Sequence, residues 1–253
     1  FFEFAWGNNR FVGVAGGGGV YTSDDAVTWV QQSSGSAEDL WDITWNGSLF
    51  VAVGDSGSIL TSPDGTVWTV RSSGALTNLF KIIWNDSLFV VVGYNTILTS
   101  PDGEVWTAQT HDAAQWFRSI AWNGDVFVIY ENGYAPSTHT SQDGVNWTRH
   151  SDTISNIADI VWDGDQFLAP SYGSVFSSTD GISWADLGAP NAIPPHILWD
   201  GSQLVGVGNG YVGTSPDGLT WTDQSGNITS TTDAFTVGTT VFWNGSQYVA
   251  AGY

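Results

Sequence analysis

Carboxylates recur in this sequence at a spacing that invites chemistry. Asp25, Asp64, Asp102, Asp143, Asp180 and Asp217 stand 37 to 41 residues apart. Each lies two residues after a serine and four before a tryptophan: Trp29, Trp68, Trp106, Trp147, Trp184 and Trp221. Glycine follows the aspartate in five of the six copies, and Ala26 takes its place in the first. Such an aspartate could serve as a catalyst, or it could accept backbone N–H bonds from its own turn. Glycine would then supply a positive φ and tryptophan would cover the gap to the next repeat. Six near-copies suit the second use, so these residues are expected to be structural.

A second motif interleaves with the first: Trp, then usually Asn or Asp, then usually Gly, then an apolar run. It starts at Trp6, Trp45, Trp84, Trp122, Trp162, Trp199 and Trp243. Two residues before each of these stand Phe4, Ile43, Ile82, Ile120, Ile160, Ile197 and Val241, all apolar and therefore packing. Three before stand Glu3, Asp42, Lys81, Ser119, Asp159, His196 and Thr240, all polar. Unpaired buried charge is costly, so this row predicts a hydrated channel, mutual pairing, or a bound ion or ligand. Glu3 with Asp42 or Asp159 is also a conceivable glycosidase pair.

Aromatic residues join the polar row early in the same segments: Phe2, Trp41, Phe80, Trp116 and Phe117, with Tyr94, Tyr134, Tyr172 and Tyr211 in loops. Flat rings beside carboxylates suit sugar recognition. The candidate ligand contacts are therefore Glu3, Asp42, Lys81, Asp159, His196, Trp41, Trp116 and Arg118. No catalytic residue is singled out. His111, His139, His150 and His196 fall in four different repeats without ligand spacing, and cysteine is absent, so no zinc site is expected. No cofactor is expected; calcium held by loop carboxylates is the one candidate.

Each repeat reads as four short antiparallel strands, here called A to D. In residues 38–73, strand A is Leu40–Trp45, Asn46-Gly47 makes the hairpin turn, and strand B is Leu49–Val53. Strand C is Ser58–Ser62, Pro63-Asp64-Gly65 turns again, and strand D is Val67–Arg71. Four strands in about 40 residues predict an all-β fold, a β-propeller of short four-stranded antiparallel blades. The blades fall at about 1–34, 38–73, 77–111, 115–150, 155–188 and 193–225, with a partial copy at 236–253. This predicts one domain of seven blades: six complete repeats plus a C-terminal half blade, which other copies or other chains could complete. The strand D-to-A and B-to-C connections share the end opposite the Asp hairpins. The variable ones are Gly16–Gly19, Glu131–Ser137, Ser171–Gly173, Asn209-Gly210 and Asp223–Gly238.

With 25 acidic and 5 basic residues, the chain carries a formal charge of −20. That repels phosphate backbones and anionic membranes, so nucleic-acid partners are excluded. No apolar run is long enough to insert in a membrane. Phe1-Phe2-Glu3-Phe4 reads as a strand and not a signal peptide, and the lack of methionine points to a processed or trimmed chain.

The Ser-x-Asp-x-Gly-x-x-Trp pattern resembles the Asp-box, or bacterial neuraminidase repeat, of sialidases and related propellers, across all six complete repeats. That resemblance implies a structural box on the face opposite any active site. It does not extend to sialidase activity: the chain has four arginines (Arg10, Arg71, Arg118 and Arg149), no Arg-Ile-Pro motif, and no evident arginine triad. Its short Trp-Asn-Gly blades are similar to non-enzymatic relatives such as the photosystem II assembly factors. That group resembles a basic-patch binder, from which this acidic chain departs.

The expected function is a non-enzymatic binding or structural module outside cells or on a virion, its loop face meeting a glycan or a protein. A glycoside-hydrolase-like enzyme with carboxylates at the channel mouth is the first alternative. An assembly factor binding a partner protein is the second.

Overall fold

The structure is a computed structural model. It describes residues 1–111, 116–133, 135–151, 154–171, 173–192, 194, 196–208, 211–225 and 238–252. Tyr134, Tyr172, Asn209, Gly210 and residues 226–237 of the long connection lie outside the described residues.

Six four-stranded antiparallel sheets form the blades of a β-propeller, each with its strands in chain order. Blade 1 is β1 (Glu3–Gly7), β2 (Arg10–Val14), β3 (Val20–Ser23) and β4 (Val30–Gln32). Blade 2 is β5 (Leu40–Trp45), β6 (Phe50–Gly54), β7 (Ile59–Ser62) and β8 (Thr69–Arg71). Blade 3 is β9 (Leu79–Trp84), β10 (Phe89–Gly93), β11 (Thr96–Ser100) and β12 (Thr107–Ala108). Blade 4 is β13 (Trp116–Trp122), β14 (Phe127–Asn132), β15 (Ser137–Ser141) and β16 (Thr148–Ser151). Blade 5 is β17 (Val161–Trp162), β18 (Phe167–Ser171), β19 (Ser174–Ser178) and β20 (Ala185–Asp186). Blade 6 is β21 (His196–Trp199), β22 (Leu204–Gly208), β23 (Tyr211–Ser215) and β24 (Thr222–Asp223).

The expectation of seven blades is overturned. The seventh Trp motif, at Trp243, belongs to a two-stranded hairpin, β25 (Gly238–Trp243) with β26 (Tyr248–Gly252). Val241 and Ala250 pack it onto Val205 and Val207 of blade 6. The physical reason lies in which motif completes a sheet. A Trp-Asn-Gly copy marks only an A–B pair, whereas the Ser-x-Asp hairpin joins strands C and D. Six such hairpins make six blades.

The chain forms two compact units: 1–118 with 143–147, and 119–142 with 148–253. In the first, Val12, Val14 and Val20 of blade 1 pack on Ile43, Phe50 and Ala52 of blade 2. Val51, Val53 and Ile59 of blade 2 in turn pack on Ile82, Phe89 and Val91 of blade 3. In the second unit, Val128 and Tyr130 pack on Ile160 and Phe167, and Leu168 packs on Ile197 and Leu204. A sheet covered on both faces needs apolar side chains at every position of its middle strand. Accordingly β6 (FVAVG) and β10 (FVVVG) are buried throughout. The outer D strands are two to four residues long and mostly exposed, which blunts them as edges.

The A–B turn sits one residue further along than expected. Asn46 N–H donates to the Leu49 carbonyl (3.2 Å), so Gly47 and Ser48 are the central pair. Asn46 works from outside the turn, its Oδ1 accepting the N–H groups of Ser48 (2.9 Å) and Leu49 (2.7 Å).

Candidate functional site

Each Asp hairpin closes on itself. Asp64 Oδ1 accepts the N–H groups of Thr66 (2.8 Å) and Val67 (3.0 Å), and Ser62 Oγ donates to it at 3.1 Å. Ser62 Oγ also accepts the Gly65 N–H at 2.8 Å, while Trp68 Nε1 donates to the Gly65 carbonyl at 2.9 Å. Burial pushes the Asp64 carboxyl up, but the Val67 and Thr66 N–H bonds outweigh it and hold the group at about 2. Asp25, Asp102, Asp180 and Asp217 repeat these bonds, and Asp143 does so with Val145 and Asn146. These carboxylates are committed to turn geometry. Gly65 also sets the approach between blades: a Cβ there would stand 2.6 Å from Val12 Cγ2. A concavity of about 460 Å³ flanks the first hairpin, lined by Arg10, Asp24, Asp25, Thr28 and Gln32 among others. Its one cation, Arg10, is already engaged by Asp24 (3.3 Å) and by the Asp64 carbonyl (3.3 Å).

The polar row three residues before each Trp is largely self-satisfied. Lys81 Nζ meets Glu3 Oε2 at 3.5 Å. Asp42, beside them and buried, accepts the Ile82 N–H (2.7 Å) on one oxygen and the Ile43 N–H (2.9 Å) on the other. That stitches blade 2 to blade 3. In the second unit Ser119 Oγ donates to Asp159 Oδ1 at 2.5 Å, and the Ile160 N–H reaches both. His196 is half-buried on β21, opposite Val207. Glu3, Asp42 and Lys81 thus form one group, and Asp159 a separate group with Ser119. Among the described residues no set of three His, Asp or Glu side chains is placed to hold a metal ion.

Burial pushes the Asp42 carboxyl up to about 7, with Lys81 pulling it down and Glu3 raising it. Its folded value exceeds the ordinary value of about 4, so the fold favours the neutral acid. The stability it contributes is therefore present below about pH 4 and is lost as pH rises toward 7. Asp42→Asn should remove this decline. Urea midpoints of wild type and variant at pH 4, 5.5 and 7 should draw together, or cross in the variant's favour, as pH rises.

The aromatic candidates assemble at the other end of the first unit's blades from the Asp hairpins. Position four before the Trp, the start of strand A, holds Phe2, Trp41, Phe80 and Arg118 in blades 1 to 4. Phe2 stacks on Trp41 with ring centroids 4.4 Å apart, and Trp41 Nε1 donates to Asp55 Oδ1 at 2.7 Å. The Arg118 guanidinium carbon lies 4.8 Å from the Trp116 ring and 5.7 Å from Phe80, and those rings are 6.3 Å apart. Tyr94 meets Trp116 edge-on at 6.2 Å, and the two backbones pair in an isolated bridge. Trp116 and Tyr94 are 42% and 43% exposed.

Backbone geometry aims this row. In blade 2 the register passes from Leu40↔Gly54 to Asp42↔Val53, leaving Trp41 as a β-bulge. In blade 3 it passes from Leu79↔Gly93 to Lys81↔Val92, leaving Phe80 as another. A bulged residue leaves the ladder and its side chain is re-aimed. Gly54 and Gly93 permit this: a Cβ on either would lie 2.0 Å from the Asp39 carbonyl oxygen or 2.1 Å from that of Asn78. The sequence signal was present one position beside the polar row.

A buried charged cluster in blade 4 had no motif to announce it. Glu131 Oε2 accepts from Ser137 Oγ (2.5 Å) and Arg149 Nε (3.0 Å) and meets His139 Nε2 at 3.0 Å. Glu131, Ser137 and His139 are buried. Burial raises the Glu131 carboxyl, yet bonds from Ser137, His139 and Arg149 bring it below its usual value. Comparison between blades would have found it, since Glu131 stands where β6, β10 and β22 end in Gly54, Gly93 and Gly208.

Comparison with curated protein sequences finds no match. Among solved structures, "YCF48 bound to D1 peptide" is similar at 16% identity, covering 95% of this chain and 84% of that one, with a TM-score of 0.74. "Crystal structure of WD40 beta propeller domain of Doa1" is similar at 15% identity over 98% and 88%, with a TM-score of 0.68. "Crystal structure of Nidogen/Laminin Complex" is similar at 12% identity over 82% and 89%, with a TM-score of 0.62. At such identities the likeness is one of fold. A family comparison matches residues 111–237, half of the 253-residue chain, and by that match the chain belongs to the DUF6242 beta propeller domain family.

Proposed function

We propose that this propeller is a binding module, of the Asp-box type, whose aromatic blade end meets a protein or glycan partner. The carrying observation is the bulge-aimed row Phe2, Trp41 and Phe80, continued by Trp116 and Arg118. Rings held at strand starts, with Trp116 nearly half exposed, give a flat contact surface that costs little conformational entropy to bury. A propeller of similar fold is described as bound to a peptide, which favours a protein partner over a glycan. The acidic surface suits display outside cells or on a virion, where it limits non-specific adhesion. The hydrolase alternative is weakened by Asp42, whose two oxygens are taken by backbone N–H groups.

Trp41→Ala and Trp116→Ala together should reduce binding on peptide and glycan arrays by tenfold or more, with the far-ultraviolet circular dichroism unchanged. Binding that survives both substitutions would remove this end of the blades from the interface.

A further inference from the structure

The chain's five cationic side chains are all described, and four have a carboxylate partner. Arg10 pairs with Asp24, Arg71 with Glu104, Lys81 with Glu3, and Arg149 with Glu131. Among the described residues no carboxylate reaches Arg118, although the chain carries 25 of them. Arg118 is exposed and lies across the tilted pair Phe80 and Trp116.

We propose that Arg118 receives the side-chain carboxylate of an Asp or Glu within a partner peptide, with a planar neighbour of that acid resting on Phe80 and Trp116. This rests on the reading of the aromatic blade end as a recognition surface.

A guanidinium lying on aromatic rings is oriented by them through its face. Its N–H edges stay available, and a carboxylate takes them two at a time. The rings also exclude water from one side, so the pair is screened less than an ordinary surface ion pair. The occupant's charge is limited by the rest of the molecule. With a formal charge of −20, the chain repels polyanions such as polyuronate chains and nucleic acids. A single acid in an otherwise uncharged or basic segment is the anion that can approach. Exposed Tyr94, edge-on to Trp116, extends the apolar surface for residues beside the acid.

The test uses two peptides blocked at both ends, Gly-Pro-Glu-Tyr-Gly and its Gln counterpart, and a glucuronate-terminated oligosaccharide. Binding to the full chain is followed by NMR through arginine Nε–H and tryptophan indole N–H resonances. The wild type should bind the Glu peptide at least tenfold tighter than the Gln peptide. Arg118→Gln, an exposed change that leaves the melting temperature unaltered, should abolish that preference. Rising salt should erode it. Equal affinity for the two peptides, with both weakened by Trp116→Ala, would overturn the carboxylate assignment and leave the recognition surface standing. Binding of the oligosaccharide alone would overturn the peptide assignment. Failure of all three probes to bind would remove both the assignment and the recognition reading.

Discussion

Glu131→Ala is expected to lower unfolding stability by about 1–3 kcal/mol, the range for taking a hydrogen-bond partner from buried polar groups. The carboxylate is 2% exposed, and a single oxygen of it serves Ser137, His139 and Arg149. Its loss removes the acceptor shared by Ser137 and His139, whose side chains stand 3.3 Å apart. Arg149 is about a third exposed, so water compensates much of its share. Most of the loss therefore falls on His139 and Ser137. Because the folded value of Glu131 lies below its usual one, its contribution is present above about pH 4.5 and disappears as pH falls through the folded value. Urea denaturation at pH 7 and pH 3 should show a large gap between wild type and variant at the first and a smaller one at the second. Equal midpoints at pH 7 would mean that the cluster contributes nothing net.

Gly93→Ala is expected to cost about 2–3 kcal/mol, the upper part of the range for overpacking, and to weaken partner binding as well. The new methyl would meet the Asn78 carbonyl at 2.1 Å, and a backbone atom cannot swing aside as a side-chain tip can. Relief requires strand β9 to withdraw from β10 at the bulge, which moves Phe80 and with it the ring pair under Arg118. Gly54→Ala should act likewise on Trp41. Thermal melting gives the stability change, and titration with the peptide probe gives the binding change. A variant that loses stability but keeps affinity would separate the bulge from recognition.

These two residues mark how far the sequence carries. Repeat spacing and turn chemistry were enough to read blades of four antiparallel strands, and strand A of blade 2 falls on Leu40–Trp45 as expected. Blade number was misread because the half repeat at Trp243 was counted toward a seventh blade, whereas it forms a two-stranded hairpin packed on blade 6. The aromatic residues Trp41 and Trp116, with Arg118, were legible in the sequence, but not the register that aims them. A bulge is a register shift, and alternation of apolar and polar residues does not reveal where one strand gains a residue on its neighbour. Gly54 and Gly93 belong to neither repeated motif, yet their role is to let a carbonyl pass at close range. The Glu131 cluster joins three strands through residues 6 to 18 apart in sequence, with no motif spacing to expose it.

The central claim is a division of labour along the first unit's blades: Asp hairpins fasten one end and the aromatic row recognises a partner at the other. It is tested most directly by measuring stability and peptide-probe affinity together for Asp64→Ala and Trp116→Ala. Asp64→Ala should lower the unfolding free energy by about 1 kcal/mol, through loss of its turn bonds, and leave affinity unchanged. Trp116→Ala should leave stability nearly unchanged and reduce affinity tenfold or more. The reverse pattern, with affinity lost at Asp64 and only stability lost at Trp116, would contradict the account.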